Sequence, residues 1–262
     1  MDIYMLFVYI LAGLVGLCVG SFLNVVIYRV PQKMSLATPA SHCPKCGYKL
    51  KWYDNIPILS YCILGGKCRS CKEHISFRYT AVEMLNAVLW LACAMLFWEE
   101  SIPYACIAAL ACSVGICIAF IDLEHMLIYD RFQLILLALG AAAIFFDSGT
   151  KWHSHLIGMG LGFVSFFLLA WVGKKIWKYD ALGGGDVKLA AVLGLLLGWE
   201  KLLLAVLIAS VLASVVLIIV RHARGDEKNT EYPFGPFLVL GMTVALLFGN
   251  QIINWYTGIL IG

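Results

Sequence analysis

The sequence predicts an all-α polytopic membrane protein with about eight transmembrane helices and a cytoplasmic zinc-binding insertion between the first and second spans. The chain is 62% hydrophobic and 13% charged, whereas a soluble domain carries about 25% charged residues. Apolar runs of span length recur along its 262 residues, and one polar segment contains two Cys-x2-Cys pairs. The net charge of +3 is modest, and no nucleic-acid partner is expected.

Eight apolar runs, separated by polar connections, supply the predicted spans. No basic residue precedes the first run, which is also too long for the hydrophobic region of a cleaved signal peptide, so we expect it to remain as a span. The sixth run is short for a span, and the last is long, with a possible break at Gly249-Asn250. The runs cover residues 3–27, 80–98, 102–121, 132–147, 156–173, 187–199, 202–220 and 235–261.

Lysine and arginine are distributed unevenly between the two sides of these spans. Seventeen of the 19 lie in one set of alternate connections, and only Lys151 and Lys201 lie in the other. Because positively charged loops stay in the cytoplasm, this predicts an N-terminus outside and the polar insertion inside the cell. Asp122, at the end of the third span, and Asp186, at the start of the sixth, then share the cytoplasmic face.

A glycine-rich loop precedes the sixth apolar run and places Asp186 at the start of that run. Glycine permits a sharp bend and the close approach of another peptide. A glycine turn followed by an aspartate that caps a helix is the alternative interpretation of this stretch alone. Lys188, two residues after Asp186, is expected to extend to the lipid headgroups rather than pair with Asp186. The loop consists of Gly183, Gly184 and Gly185, followed after the aspartate by Lys188.

Two carboxylates brought together can hydrolyse a peptide bond without a metal or a covalent intermediate. A carboxylate at the edge of hydrocarbon is costly, which indicates a functional site with a partner. Close carboxylates cannot both ionise easily, so Asp122 and Asp186 would share a proton. The ionised member activates water and the neutral member protonates the scissile group, as in aspartic proteases. Three polar neighbours are expected to position or tune this pair: Glu124, His125 and Asp130.

The polar insertion carries four cysteines at zinc-ligand spacing. Two Cys-x2-Cys pairs are separated by 21 residues, and a four-thiolate site of this kind holds a structural Zn²⁺ with no open coordination position. Disulfide bonds are the alternative, which a reducing cytosol disfavours. Cys62, between the pairs, is expected to be a buried small apolar residue rather than a fifth ligand. The predicted ligands are Cys43, Cys46, Cys68 and Cys71.

Five motifs in order along the chain resemble those of the bifunctional type IV prepilin leader peptidase/N-methyltransferase family, which contains Gly-x-Gly-Asp aspartic proteases. They are similar to the first-span signature, the cytoplasmic insertion and the stretch after it, the catalytic aspartates, and the closing signature. One departure is Tyr129, where the family usually has proline, and it affects the expected loop shape only. The motifs lie at residues 20–29, 43–71, 75–83, 122 with 183–186, and 233–237.

The resemblance implies both a substrate and a reaction. Prepilins and pseudopilins of type IV pilus, type II secretion or competence systems would be cleaved after the glycine that ends their short basic leader. Cleavage would take place on the cytoplasmic side of the bacterial inner membrane, with Asp122 and Asp186 as the catalytic residues. The new N-terminal residue, usually phenylalanine, would then be methylated with S-adenosylmethionine.

The same resemblance divides the chain into residues 1–100, associated with the methyltransferase, and residues 101–262, the membrane-embedded peptidase. No Rossmann-type glycine fingerprint is present, so the methyltransferase prediction depends on the resemblance. The polar residues nominated for it are Asp54, Asn55 and Glu83, which would alternatively cap helices or contact headgroups.

Three other functions compete with the bifunctional enzyme. A peptidase that has lost methylation would keep both aspartates. An ion- or proton-coupled transporter would place acids at the membrane midplane within inverted repeats of broken helices, whereas these acids lie at span edges. A membrane-anchored zinc module that only binds a partner would leave Asp122 and Asp186 without a role.

Overall fold

The predicted all-helical class is confirmed by a computed structural model, which describes residues 2–177, 182–224 and 232–261. The described residues contain nine α-helices and one short 3-10 helix, Trp52–Asn55. The α-helices are α1 (Ile3–Arg29), α2 (Leu59–Ile63), α3 (Phe77–Phe97), α4 (Ile102–His125), α5 (Asp130–Phe146), α6 (Trp152–Trp177), α7 (Gly184–Leu197), α8 (Trp199–Arg224) and α9 (Gly235–Ile261).

Each of the eight apolar runs coincides with one long helix, but not every helix has the length of a span. Within the described residues, six helices are long and apolar enough to cross a membrane: α1, α3, α4, α6, α8 and α9. The other two, α5 and α7, contain only 17 and 14 residues. The prediction of about eight spans is therefore not confirmed.

The break suggested at Gly249-Asn250 is wrong, because α9 is continuous from Gly235 to Ile261. Gly249 instead provides space for a neighbouring side chain. A Cβ added there would lie 3.0 Å from Cγ of Lys201 on α8.

The chain forms two compact units, Met1–Leu96 and Phe97–Gly262. In the first unit, α1 and α3 approach so closely that only glycine fits at two positions on α1. A Cβ added to Gly16 would lie 2.8 Å from Cα of Ala87, and one added to Gly20 would lie 2.8 Å from Cα of Glu83. Small residues permit this backbone approach between membrane helices, and polar side chains on the seam then hydrogen-bond across it.

The centre of the second unit is α7, which packs against α5, α6, α8 and α9. Every residue from Leu189 to Leu197 is buried. A helix that is apolar around its whole circumference is stable only when other protein surrounds it. Its first turn carries Asp186, so the packing of α7 determines where that carboxylate lies.

Glycines on α6 and α7 allow these two helices of the second unit to approach closely. A Cβ added to Gly158 would collide with the carbonyl oxygen of Gly194, and one added to Gly162 would collide with that of Ala190. In contrast, a Cβ on Gly160 would meet nothing within 4 Å.

Gly158→Ala is therefore expected to separate α6 from α7 and to lower the thermal stability of the protein, since overpacking costs about 1–3 kcal/mol. Gly160→Ala, on the same helix, is the matched control and should be neutral or stabilising by roughly 0.5–1 kcal/mol. Thermal unfolding in detergent or nanodiscs measures both. Equal stability of the two variants would contradict the proposed packing constraint.

A buried polar cluster, which the sequence analysis did not predict, fixes the C-terminal end of α7. His155 is fully buried, and its Nδ1 donates to the carbonyl oxygen of Leu195 at 2.9 Å. Lys201 Nζ lies 3.8 Å from Asp147 Oδ2 and donates to Thr150 Oγ1 at 3.2 Å. Charged groups this deeply buried require partners, so the cluster ties α5, α6, α7 and α8 together at the end remote from Asp186.

Candidate functional site

Asp122 lies in the last turn of α4 and is 5% exposed. The helix ends at Met126, which is left-handed at φ 52° and donates its N–H to the Asp122 carbonyl oxygen at 2.8 Å. On the side chain, Oδ2 accepts a hydrogen bond from the backbone N–H of Gly235 at 3.0 Å. Gly235 is the first residue of α9, and a helix N-terminus favours a negative charge.

Asp186 is the third residue of α7, and its cap is Gly183, so the alternative of an aspartate N-cap is wrong. The Asp186 N–H donates to the Gly183 carbonyl oxygen at 3.1 Å. Its carboxyl atom Oδ1 is buried and has no hydrogen-bond partner among the described residues. Ile128 lies against both carboxylate sites, because a Cβ added to Gly185, beside Asp186, would lie 3.1 Å from its Cβ, and one added to Gly235, which holds Asp122, would lie 3.3 Å from its Cδ1. The structure therefore places the two predicted carboxylates around one side chain.

The glycines before Asp186 allow the loop between α4 and α5 to pack against the start of α7. A Cβ added to Gly185 would lie 3.1 Å from Cβ of Ile128. Gln133 Nε2 donates to the Gly185 carbonyl oxygen at 3.3 Å, and Gln133 itself is buried. Gly184, by comparison, has open space at its Cβ position. Among the loop glycines, Gly185 is therefore the one at which the loop between α4 and α5 packs closely against α7.

Lys188 forms an ion pair with Asp130, with Nζ 2.8 Å from Oδ1. Both side chains are more than half exposed, and an exposed pair of this kind stabilises a protein by about 0–1 kcal/mol. The sequence predicts that Lys188 extends to headgroups rather than pairing with Asp186, and in the structure its partner is Asp130. The pair connects the start of α5 to α7 near Asp186.

Gly235→Ala is expected to displace the Asp122 carboxylate, because the added Cβ would lie 2.6 Å from Oδ2. If Asp122 acts in peptide cleavage, the rate should fall by at least about 10-fold while α9 remains helical, since small misplacements of a catalytic group are costly. Gly258→Ala is the matched control on α9, where an added Cβ meets nothing within 4 Å. Initial rates of peptide cleavage measure the difference, and equal rates would contradict a positioning role for Gly235.

The four predicted zinc ligands converge in the insertion. The Sγ atoms of Cys43, Cys46, Cys68 and Cys71 all lie within 4.8 Å of one another, and those of Cys43 and Cys71 are 3.8 Å apart. Zn–S bonds of about 2.3 Å at tetrahedral angles require sulfur atoms about 3.8 Å apart, whereas a disulfide requires about 2.05 Å. The residues therefore fit a four-thiolate metal site and not a pair of disulfides.

Both Cys-x2-Cys pairs adopt the same turn. In the first, the Gly47 N–H donates to the Cys43 carbonyl oxygen at 2.9 Å, and in the second, the Lys72 N–H donates to that of Cys68 at 3.0 Å. Both donors have positive φ, 71° and 61°. The prediction that Cys62 is buried is wrong, because it lies exposed on α2, and it is not part of the thiol cluster.

Asp54 holds the second cysteine turn against the 3-10 helix. Its Oδ1 accepts from Arg69 Nε at 2.7 Å, and its Oδ2 accepts from the Lys51 N–H at 3.2 Å and the Tyr48 hydroxyl at 3.3 Å. Burial opposes ionisation of Asp54, but the Arg69 hydrogen bond, the Lys51 N–H, the Arg69 charge and the Tyr48 hydroxyl together hold its pKa below the usual value. Its carboxylate is thus committed to structural contacts.

The first unit also contains a cavity of about 420 Å³, lined by residues of α1, the insertion and α3. This volume is typical of small-molecule sites, which span about 300–1,000 Å³. Asp54, Asn55 and Glu83 all line it. Asn55 is exposed, whereas Glu83 is 9% exposed and accepts a hydrogen bond from the Ile58 N–H at 2.9 Å.

Two functional contacts escaped the sequence analysis. One is the Gly235 N–H that holds Asp122, although Gly235 lies within the recognised motif at residues 233–237. The other is Asn24, whose side chain lines the cavity and lies within the first-span motif at residues 20–29. In both cases the motif was visible, but only packing shows which of its atoms face the site.

Comparison with known proteins identifies two family models that match the chain. The family model of the bacterial peptidase A24 N-terminal domain matches residues 14–97, and that of the type IV leader peptidase family matches residues 109–218. A prepilin leader peptidase/N-methyltransferase of Pseudomonas aeruginosa is 35% identical over 267 residues, covering 93% of this chain and 91% of the relative.

Two further relatives carry the same name. The one from Myxococcus xanthus is 40% identical over 235 residues, covering 87% of this chain and 69% of the relative. The one from Legionella pneumophila is 32% identical over 279 residues, covering 97% and 96%. No solved structure matches the chain.

Proposed function

Because the chain belongs to the type IV leader peptidase family, we propose that Asp122 and Asp186 are the carboxylates with which it cleaves leader peptides. The protein is a multi-pass membrane peptidase that removes the leader of type IV prepilins and N-methylates the residue exposed by cleavage. One observation carries the residue assignment: among the described residues, a buried Asp186 oxygen has no hydrogen-bond partner, and Ile128 lies between Gly185, beside it, and Gly235, which holds Asp122.

The hydrogen bonds of the two carboxylates divide their roles. Asp122 accepts from the Gly235 N–H at the positive end of α9, which favours its ionised form. Ionised Asp122 takes a proton from water as the water oxygen attacks the carbonyl carbon of the leader glycine. Asp186 holds the shared proton and donates it to the leaving nitrogen as the C–N bond breaks. The loop residues Gly183, Gly184, Gly185 and Lys188 hold Asp186 in place.

We assign methylation to the first unit, with Asp54, Asn55 and Glu83 at its cavity. S-adenosylmethionine, when bound, supplies a methyl group on a sulfonium ion. The cavity volume of about 420 Å³ suits a molecule of this size. Asp54, with its carboxylate committed to Arg69, shapes the wall, Asn55 lies at the exposed rim, and Glu83 offers a buried negative charge.

The zinc site is structural in this proposal. Four thiolates saturate a tetrahedral Zn²⁺ and leave no position for substrate. The metal would hold the two cysteine turns together through Cys43, Cys46, Cys68 and Cys71, and thereby hold the cavity wall to which Arg69 and Asp54 belong.

The uneven lysine and arginine distribution supports a cytoplasmic active site in the bacterial inner membrane, with the N-terminus outside. In this arrangement α5 and α7 complete about eight membrane-embedded helices, and the short α7 is tolerated because protein surrounds it. Prepilins and pseudopilins of pilus and secretion systems would reach Asp122 and Asp186 from the bilayer, with the cleavage site beside their own transmembrane helix.

The competing functions gain no support. The related proteins do not support the transporter alternative, because their names include both leader cleavage and methylation. A zinc-only binding module would leave the buried aspartates unexplained, since buried carboxylates are costly to retain.

The mass of a prepilin incubated with membranes that contain the protein, with and without S-adenosylmethionine, tests this function. We expect loss of the leader in both samples and gain of one methyl group only with the cofactor. Cleavage without methylation would contradict the methyltransferase assignment. An unchanged mass for every prepilin tested, alongside cleavage by a positive-control relative, would contradict the peptidase assignment.

A further inference from the structure

The wall of the cavity in the first unit contains a buried hydrogen-bond acceptor without a donor. Asn24 is 6% exposed, and its Nδ2 donates to the carbonyl oxygens of Tyr79 at 2.9 Å and Gly20 at 3.4 Å. Because carbonyl oxygens only accept, the nitrogen must face them, and this settles the orientation of the side-chain amide. Asn24 Oδ1 has no partner among the residues that the structure describes, and native proteins retain few such atoms without a reason.

Glu83 lies next to Asn24 on the same wall. Gly20 is one turn before Asn24 on α1, and Tyr79 is one turn before Glu83 on α3. The backbones of Gly20 and Glu83 touch, since a Cβ on Gly20 would lie 2.8 Å from the Glu83 Cα. Both Asn24 and Glu83 line the cavity. The wall therefore contains one neutral acceptor and one carboxylate, about one helical turn apart along α1 and α3.

The Glu83 carboxylate retains capacity to bind a further donor. Its contacts are the Ile58 N–H at 2.9 Å and the Ser21 hydroxyl, whereas a carboxylate offers about four lone-pair sites. In the described part of the chain, no lysine or arginine forms an ion pair with it. A ligand that complements this wall must carry several N–H donors and a positive charge, which describes a primary ammonium group.

We propose that Asn24 and Glu83 bind the ammonium group of the pilin N-terminus that leader cleavage creates, and that Glu83 is the base that deprotonates it. This inference rests on the methyltransferase activity proposed above. The ammonium nitrogen gives one proton to the Glu83 carboxylate, which becomes a neutral carboxyl. The amine lone pair then forms the new N–CH₃ bond as the S–CH₃ bond of the cofactor breaks and its electron pair returns to sulfur.

Two ammonium groups are available, and charge favours that of the pilin. The amino-acid end of S-adenosylmethionine carries a carboxylate on the same carbon as its ammonium group, which would be repelled by Glu83. A peptide N-terminus has no carboxylate at that position. Only the pilin amine, moreover, has to lose a proton before it can accept a methyl group.

Binding of a labelled peptide with a mature pilin N-terminus, beginning with phenylalanine, tests the inference on full-length protein in nanodiscs. We expect the wild-type protein to bind the free-amine peptide at least 10-fold more tightly than its N-acetylated form. Glu83→Gln preserves the acceptor for the Ile58 N–H and should abolish this preference. Glu99→Gln is the matched control, because Glu99 is exposed between α3 and α4 and is not among the residues that line the cavity.

Methylation kinetics separate the two possible ammonium groups. Glu83→Gln should raise the KM for mature pilin and lower kcat, with the KM for S-adenosylmethionine unchanged, while leader cleavage in the same samples reports folding. A preserved free-amine preference, or an effect confined to the KM for S-adenosylmethionine, would overturn the inference. A wild-type protein that cleaves but never methylates would contradict the proposed methyltransferase. The preference for the free-amine peptide would still show whether Asn24 and Glu83 bind the ammonium group.

Discussion

Asp122→Asn and Asp186→Asn are each expected to lower the rate of leader cleavage by about 10³-fold or more while leaving the protein folded. Asparagine preserves the size of the side chain and an oxygen that can accept from the Gly235 N–H, so the packing around α4 and α9 should survive. It can neither take a proton from water nor donate a shared one. Loss from either variant alone is expected because the two carboxylates act as one unit.

Cleavage is measured by the mass of a prepilin in detergent or nanodiscs, and thermal unfolding of the same samples reports folding. Asp2→Asn is the control, because Asp2 is exposed before α1 and its side chain makes no cap hydrogen bond. It should retain cleavage within a few-fold of wild type. Substantial residual cleavage by Asp122→Asn or Asp186→Asn would refute their assignment.

Cys43→Ser and Cys68→Ser are each expected to remove the bound metal and unfold the insertion. Structural zinc sites contribute about 10–16 kcal/mol of apparent binding free energy, and the insertion between α1 and α3 contains little regular structure beyond α2 and one 3-10 helix. Both of these thiols are buried. The cavity should lose its wall with the metal, so methylation should disappear.

Metal analysis of purified protein should give about one zinc per chain, and limited proteolysis should show an insertion that becomes sensitive in the variants or after chelation. Cys62→Ser is the matched control, because Cys62 lies in the same insertion but outside the thiol cluster. It should keep its metal. Protein that contains no zinc, with disulfides detected by mass spectrometry, would contradict the four-thiolate site.

The long helices could be predicted from sequence because their apolar runs are continuous. Composition alone cannot distinguish a helix that faces lipid from one that other helices surround, and for that reason α7 was predicted as a span. The residues of α7 from Leu189 to Leu197 are buried, and the helix packs against four neighbouring helices. The sequence also did not predict that α7 begins at Gly184. Glycines favour turns, but they can begin a helix that packs closely against its neighbours.

The site was predictable in its residue types and not in its contacts. The spacing of Asp122 and Asp186 in the membrane topology indicated a shared face, and cysteine spacing indicated the thiol cluster. The Gly235 N–H that holds Asp122 and the ion pair between Lys188 and Asp130 arise from packing between elements distant in sequence. Asp54 was nominated for the methyltransferase from its residue type, and only the structure shows that its carboxylate also accepts a hydrogen bond from Arg69.

The most direct test of a two-aspartate mechanism is the affinity of a prepilin peptide in which a hydroxyethylene group replaces the scissile amide. This group mimics the tetrahedral species that forms when water attacks, and transition-state mimics bind at least about 10²-fold more tightly than substrates. We predict tight binding to the wild-type protein and a large loss in both Asp122→Asn and Asp186→Asn. Binding no tighter than that of the substrate, or unchanged in either variant, would contradict catalysis by this pair of carboxylates.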